Sequence, residues 1–223
     1  MSEFNSKQAE WDEIARVNRD FKAQVGRPFD DVLWQALSID VEQKLMLSAH
    51  ANSILDVGCG NGLLLSKLLS KCAHYAGIDY SEAMIGEAKK LLPAGTFYQS
   101  QASQLPFDDN EFERVLSYSI FHYFPSYQYA LDVIKEMIRV CKPGGVILIG
   151  DILDNRFEQD IKSNSNLEYE KTIPLIHRYS QWRFFSFEQL KSDLQHHVNK
   201  VEILTQPAHF PLSQYRKDLR LWV

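Results

Sequence analysis

The chain has 223 residues, 45% of them hydrophobic and 24% charged, with a formal net charge of −5. That length suits one well-buried core, while the absence of any apolar run near the roughly 20 residues that span a bilayer, and a polar start at Met1–Gln8 unlike a signal peptide, predict a protein off the membrane. Acids and bases are interspersed without a dense basic run, which disfavours nucleic acid as a partner and favours a small substrate; the three cysteines, Cys59, Cys72 and Cys141, lack metal-ligand spacing and predict a reducing, cytoplasmic setting with no metal.

Residues 1–50 carry helical periodicity. Trp11, Ile14, Ala15 and Val17 predict one apolar face, and Val32, Leu33, Ala36 and Leu37 a second, with Gly26-Arg27-Pro28 breaking them apart. Ser53 to Val57 is an apolar run of strand length. Glycine then stands at every other position, Gly58, Gly60 and Gly62, and Leu63, Leu64, Leu65, Leu68 and Leu69 follow at helical spacings. Strand, glycine turn and helix make a ligand site. Glycine lets a ligand lie on bare backbone, the helix start offers unpaired N–H groups, and open α/β sheets bind ligands beyond the carboxyl ends of their strands. The dinucleotide fingerprint G-x-G-x-x-G needs glycine at position 63 and meets Leu63, which disfavours a nicotinamide enzyme.

A second strand is predicted from Ala73 to Ile78, ending at Asp79. An acid there either accepts from two ribose hydroxyls or caps the next helix, which spans Ser81 to Leu92 and stops near Pro93. Thr96–Gln99 suits a third strand and Arg114–Ser117 a fourth. A helix follows over Tyr127–Val140, and Pro143 with Gly144-Gly145 turns the chain into a fifth strand over Val146–Ile149. Asp151 to Gln181 has poor periodicity. Ser186 caps a helix from Phe187 to about Gln195, and Val198–Thr205 with Tyr215–Val223 suit a closing antiparallel pair.

Asp56-Val57-Gly58-Cys59-Gly60-Asn61-Gly62 resembles the first motif of class I S-adenosylmethionine (SAM)-dependent methyltransferases. Gly77-Ile78-Asp79-Tyr80-Ser81, and Arg139-Val140-Cys141-Lys142-Pro143-Gly144-Gly145 before Val146-Ile147-Leu148-Ile149, resemble two later segments of the same family, in its small-molecule, type 11-like branch. The resemblance is close over residues 50–150 and loose at both ends. It implies a doubly wound, Rossmann-like α/β fold: a seven-stranded, mostly parallel sheet with helices on both faces and an antiparallel last strand. One domain would fill residues 1–223, with a helical cap over 1–50, a cofactor-binding core over 51–151, a substrate-pocket insertion over 152–185 and a closing helix and strands over 186–223.

The resemblance further implies SAM as cofactor and S-adenosylhomocysteine (SAH) as product, held by Asp56, Gly58, Cys59, Gly60, Gly62, Asp79, Tyr80, Gln101, Ala102 and Ser117. Where the family has acid, alanine, acid, this chain has Gln101-Ala102-Ser103; Gln101 still accepts through its amide oxygen. Glu10 to Ala15 resembles the helix that covers the cofactor in many small-molecule members, with an ordinary packing helix as the other account.

Methyl transfer from a sulfonium is an in-line displacement in which the protein aligns the acceptor and, when necessary, takes its proton. His122, just past the fourth strand, is the candidate base. Asp151 is the second candidate catalytic group, with turn formation as its competing role; with Asp154 it makes a poor cation site. Tyr118, Tyr123, His177 and Arg183, joined by Tyr127 and Tyr179, are candidates for lining the acceptor pocket. The Asn-Pro-Pro-Tyr of amino-group methylases is absent, and so is the strand-end acid of metal-dependent catechol-type enzymes. The expected reaction is methyl transfer to a small molecule, at a hydroxyl oxygen. The alternatives are an RNA or protein methylase and a non-catalytic module of the same fold, and the sequence does not choose between monomer and homodimer.

Overall fold

A computed structural model of the chain describes residues 3–27, 29–47, 53–69 and 72–223, so Pro28 of the expected helix break lies outside the described residues. Seven strands form one sheet: β1 (Ser53–Val57), β2 (His74–Asp79), β3 (Thr96–Gln99), β4 (Phe112–Tyr118), β5 (Cys141–Leu153), β6 (Lys200–Thr205) and β7 (Arg216–Trp222). Their spatial order is β3-β2-β1-β4-β5-β7-β6. The first five are parallel, and β7 runs antiparallel to both β5 and β6. The chain builds outward from β1 through β2 to β3, then restarts at β4 on the other side of β1. That switch leaves a crevice at the carboxyl ends of β1 and β4, where doubly wound sheets bind ligands.

The helices are α1 (Glu3–Val17), α2 (Phe21–Gln24), α3 (Asp31–Lys44), α4 (Leu63–Leu68), α5 (Glu82–Leu91), α6 (Tyr127–Val140), α7 (Glu158–Ser163), α8 (Leu167–Glu170) and α9 (Phe187–Leu194). Alternation along the strands divides them between two layers. Leu55, Val57, Val115, Ile147 and Ile149 pack with α6 and α9. Ile54, Leu116, Val146 and Leu148 point the other way, onto α3, α4 and α5. Strands covered on both faces read as unbroken apolar runs, which is why β1 and β5 stand out in the sequence. Helix α6 buries Ala130, Val133, Ile134, Met137 and Val140 at helical spacing, and Ser126 caps it by accepting from the Tyr129 amide at 3.0 Å. Ser81 and Ser186 cap α5 and α9 in the same way.

Four expectations need correction. Val17 and Val32 are 63% and 75% exposed. Each lies two positions from a buried neighbour, Ala15 or Trp34, and two positions are about 200° around a helix. The buried face of α3 is Trp34, Leu37, Ser38 and Val41. Strand β5 is much longer than Val146–Ile149. Lys142 to Gly145 bulge out of it, as the register with β4 jumps from Phe112 opposite Cys141 to Arg114 opposite Val146. A second irregularity against β7 falls between Ile149 and Ile152. The unperiodic stretch after β5 holds α7, α8 and three 3-10 turns, each too short to show a period. Among the described residues no helix is long and apolar enough to cross a membrane.

Candidate active site

A cavity of about 440 Å³ opens over the carboxyl ends of β1, β2 and β4, within the range of small-molecule clefts. Its floor at one end is the glycine loop. The Gly58 and Cys59 amides both donate to the Ile78 carbonyl, at 2.8 and 2.9 Å, which folds the loop against β2. Gly60 has φ +53° and a Cβ there would meet nothing within 4 Å, so the bare backbone faces open space. The Gly60 amide donates to one oxygen of Asp79 at 3.0 Å and the Ser81 amide to the other at 2.9 Å. Asp79 is thereby fixed at the end of β2 with lone pairs left for further donors. An open glycine backbone beside a clamped, buried carboxylate fits the ribose of an adenosyl cofactor.

The roof over this cradle is α1. Asp12 accepts from the Ser81 hydroxyl at 2.5 Å and the Ala83 amide at 3.1 Å, which ties α1 to the start of α5. Glu10 accepts from the Leu175 and Ile176 amides at 2.8 and 3.1 Å, which ties it to the excursion after β5. Gln8 donates to the Tyr80 carbonyl at 2.7 Å, and Trp11 meets Tyr123 edge-on at 6.0 Å. From the loop, Asn61 donates to the Phe21 carbonyl at 2.7 Å and to the Gln24 side chain at 2.8 Å. Polar contacts made by α1 and Asn61 thus tie α1 and α2 to the cradle and the excursion.

At the far end lies a buried polar cluster. Asp151 sits in the β5 irregularity at φ +67°, which turns its carboxylate toward Arg27 and Arg216. It also accepts from the Ser119 hydroxyl at 2.5 Å, and Ser119 accepts from Arg27 at 2.7 Å. Gln206 bridges Tyr118 and Asp218 at 3.2 and 2.9 Å, and Lys44 pairs with Asp218 at 2.6 Å. The adjacent Gly150 is required because any Cβ would lie 2.2 Å from the Tyr118 ring.

Asp56, Gly58, Cys59, Gly60, Asp79, Tyr80 and Ala102 line the cavity, as do Tyr118, His122, Tyr123, His177 and Tyr179. Gly62 does not: it starts α4 and packs behind the loop on Leu92 and Ala88. Gln101 is exposed and its neighbours Ser100 and Ala102 face the cavity instead. Ser117 is buried within β4, away from the lining. Arg183 is turned aside, its guanidinium donating to the Phe124 and Pro125 carbonyls at 2.9 and 2.5 Å. Tyr127 is occupied by Asp193 at 2.8 Å. Asp151 is no free base, since two arginines hold its carboxyl well below the usual range despite burial. No group of residues suited to a metal occurs among the described residues.

Sequence reasoning missed Arg27, Trp182 and Arg216, all of which line the cavity. Arg27 was visible only as the middle of a helix break, and Arg216 as one charge in the last strand.

Burial sets the electrostatics. It raises Asp56 to about 7, with Asp79 adding to the effect, and Asp79 to about 6 against the pull of its amide donors. It raises the Cys59 thiol, which is therefore unreactive. His122 is 2% exposed, its ring tilted against those of Tyr123 and Trp182 at 4.0 and 4.7 Å, and its Nδ1 has no partner among the described residues. Burial, followed by the charge of Arg216, keeps it far below the usual histidine value, so it is a neutral imidazole at the cavity wall.

Glycine cradle, clamped acid and switch-point crevice together make the ligand site of a doubly wound α/β sheet. Residues 55–149 match the family model described as a methyltransferase domain. Over 106 residues the chain is 36% identical to a phthiotriol/phenolphthiotriol dimycocerosates methyltransferase of Mycobacterium tuberculosis, a match covering 46% of this chain and 38% of that protein. It is 33% identical over 117 residues to a demethylmenaquinone methyltransferase of Bacillus subtilis, covering 49% of each. The matched stretch thus spans less than half the length of either relative. The fold is similar to that of the N-methyltransferase NodS of Bradyrhizobium japonicum in complex with SAH, with a TM-score of 0.67 and 15% identity over 97% of this chain and 98% of that one. The bound SAH is that protein's, and the likeness shows the shared fold.

Proposed function

We propose that this chain transfers a methyl group from SAM to a small-molecule acceptor, at a hydroxyl oxygen. The observation that carries the reading is one cavity in which the Gly60–Asp79 cradle and the aromatic His122–Tyr123–Trp182 wall are continuous beneath α1. When bound, SAM supplies an electrophilic methyl group; the protein's part is to exclude water and align the acceptor. Asp79 and the amides around Gly60 would hold the adenosyl end, and Ala102 would lie against the base. His122 would receive the acceptor's hydroxyl proton through an imidazole that is already neutral. The curated relatives, named for phthiotriol and menaquinone-type acceptors, support a small acceptor. The test is calorimetric titration with SAM, SAH and NAD, followed by labelled-methyl transfer to a panel of small hydroxyl compounds. Binding of the first two but not NAD is expected; no binding of SAM or SAH would remove the reading.

A further inference from the structure

We infer that the end of the cavity between β4 and β7 holds a carboxylate of the acceptor on the Arg27–Arg216 pair, an inference that rests on the methyl-transfer reading and names its substrate class. Both guanidinium groups line the cavity and both are largely buried, with side-chain exposures of 17% and 7%. They share one counterion, Asp151, while the nearby Lys44 is matched by Asp218 and Asp40. One carboxylate cannot take the donors of two guanidinium groups, and the acids among the described residues that line the cavity, Asp56 and Asp79, stand at its other end. A carboxylate is the complement to the donors left over.

The donor geometry agrees. Arg216 turns Nη1 to Asp151, while its Nε is buried without a partner among the described residues. Nε belongs to the side-on edge of the guanidinium, which grips a carboxylate through two parallel bonds. Stacking holds the planes in place: Arg216 lies over Trp182 at 5.3 Å, and Arg27 over Phe29 and Tyr118 at 5.2 and 5.3 Å. Asp151 itself is absent from the cavity wall, so the arginines and not their counterion face the ligand.

Position separates this site from the cofactor cradle. Arg216 begins β7, three strands from β1 in the order β1-β4-β5-β7, or about 14 Å at roughly 4.8 Å per strand. The cradle stands at β1 and β2. Between the two ends the walls are aromatic, so the acceptor is a small acid with an apolar body.

The experiment is thermal-shift titration of the full chain, with and without saturating SAH, against aromatic and aliphatic monocarboxylic acids, each paired with its primary amide. At least one acid should raise the melting temperature of the SAH complex, with its amide at least tenfold weaker. Arg216→Gln should abolish the preference while changing SAH affinity less than about twofold. Arg216→Lys, which keeps a charge for Asp151 but lacks the fork, should retain the fold and lose at least tenfold in acid affinity. The inference is overturned if no acid binds, if acids and amides bind alike, or if the Gln or Lys variant loses SAH, which would assign the arginines to the cofactor's own carboxylate. Failure of the unaltered chain to bind SAH would instead sink the methyl-transfer reading, and that titration is read separately.

Discussion

Asp79 commits both carboxylate oxygens to amide donors, Gly60 and Ser81, before any ligand arrives. Replacing it with asparagine turns an acceptor into a donor that opposes one of those amides. SAH affinity should fall 10- to 100-fold in Asp79→Asn, about 1.4–2.8 kcal/mol; unchanged calorimetry would take Asp79 out of the cradle. The raised acids also carry a pH signature. Folded Asp79 titrates near 6 and Asp56 near 7, both above their ordinary 3.8. From about pH 4 to 7 the folded chain therefore holds protons that the unfolded chain has released, and these two groups cost stability as the pH rises. Asp56→Asn should melt higher than the parent, by a margin that grows from pH 5 to pH 8. The charged form of Asp79 is the better acceptor for ribose hydroxyls, so SAH affinity should decline as the pH falls through 6. His122 moves the opposite way: a base whose conjugate acid lies far below 6.5 is ready at every pH above it. With an acceptor in hand, kcat should stay flat upward from pH 6.5, and His122→Asn should lower it about 10²- to 10⁴-fold without moving SAH affinity. A kcat equal to the parent's would leave His122 as packing.

Helix α1 reaches two parts of the molecule through three side chains, Gln8 and Asp12 at Tyr80–Ala83 and Glu10 at Leu175 and Ile176. Hydrogen bonds to charged groups contribute about 1.5–3 kcal/mol each. Glu10→Ala together with Asp12→Ala should speed SAH release at least tenfold by stopped-flow while leaving the sheet's melting transition within a few degrees; an unchanged release rate would make α1 ordinary packing. Elements like α1, α6 and β1 were legible because their signal is local. Ser53–Val57 and Tyr127–Val140 match the expectation to the residue, each marked by its own apolar pattern and, for α6, by Ser126. The cluster around Asp151 was not legible. Arg27, Ser119, Asp151 and Arg216 come from four distant stretches, brought together by the strand order and, for Arg27, by the packing of the α2–α3 connection. A bulge that turns Asp151 toward two arginines leaves no periodic trace, and neither do 3-10 turns of three residues such as Leu175–His177. Sequence reading therefore brought together Gly58, Gly60 and Asp79, which a compact motif places, and did not foresee the partners of Asp151 and Arg183, which tertiary packing supplies.

The cavity wall draws on nearly the whole length of the chain, from Trp11 to Arg216. A ligand there bridges the cap, the glycine loop, β4 and the last strand, so its binding energy is shared among all four. At a free SAH concentration 100 times its Kd, binding to the folded state alone adds about 2.7 kcal/mol. For a chain of this size that is a rise of about 5–11 °C in melting temperature. The distribution of the gain separates two pictures. If the roof is a clamp, amide exchange should slow together in α1, in the Gly58–Gly62 loop and in Leu175–Gln181, because opening any of them exposes the same ligand. If the roof is a fixed wall, the glycine loop and the start of α5 should slow alone. Glu10 joins α1 to Leu175 and Ile176, and Asp12 joins it to Ser81, which shares Asp79 with Gly60 of the loop, so the coupled pattern is expected, and its loss in the Glu10→Ala, Asp12→Ala chain would trace the coupling to those two carboxylates.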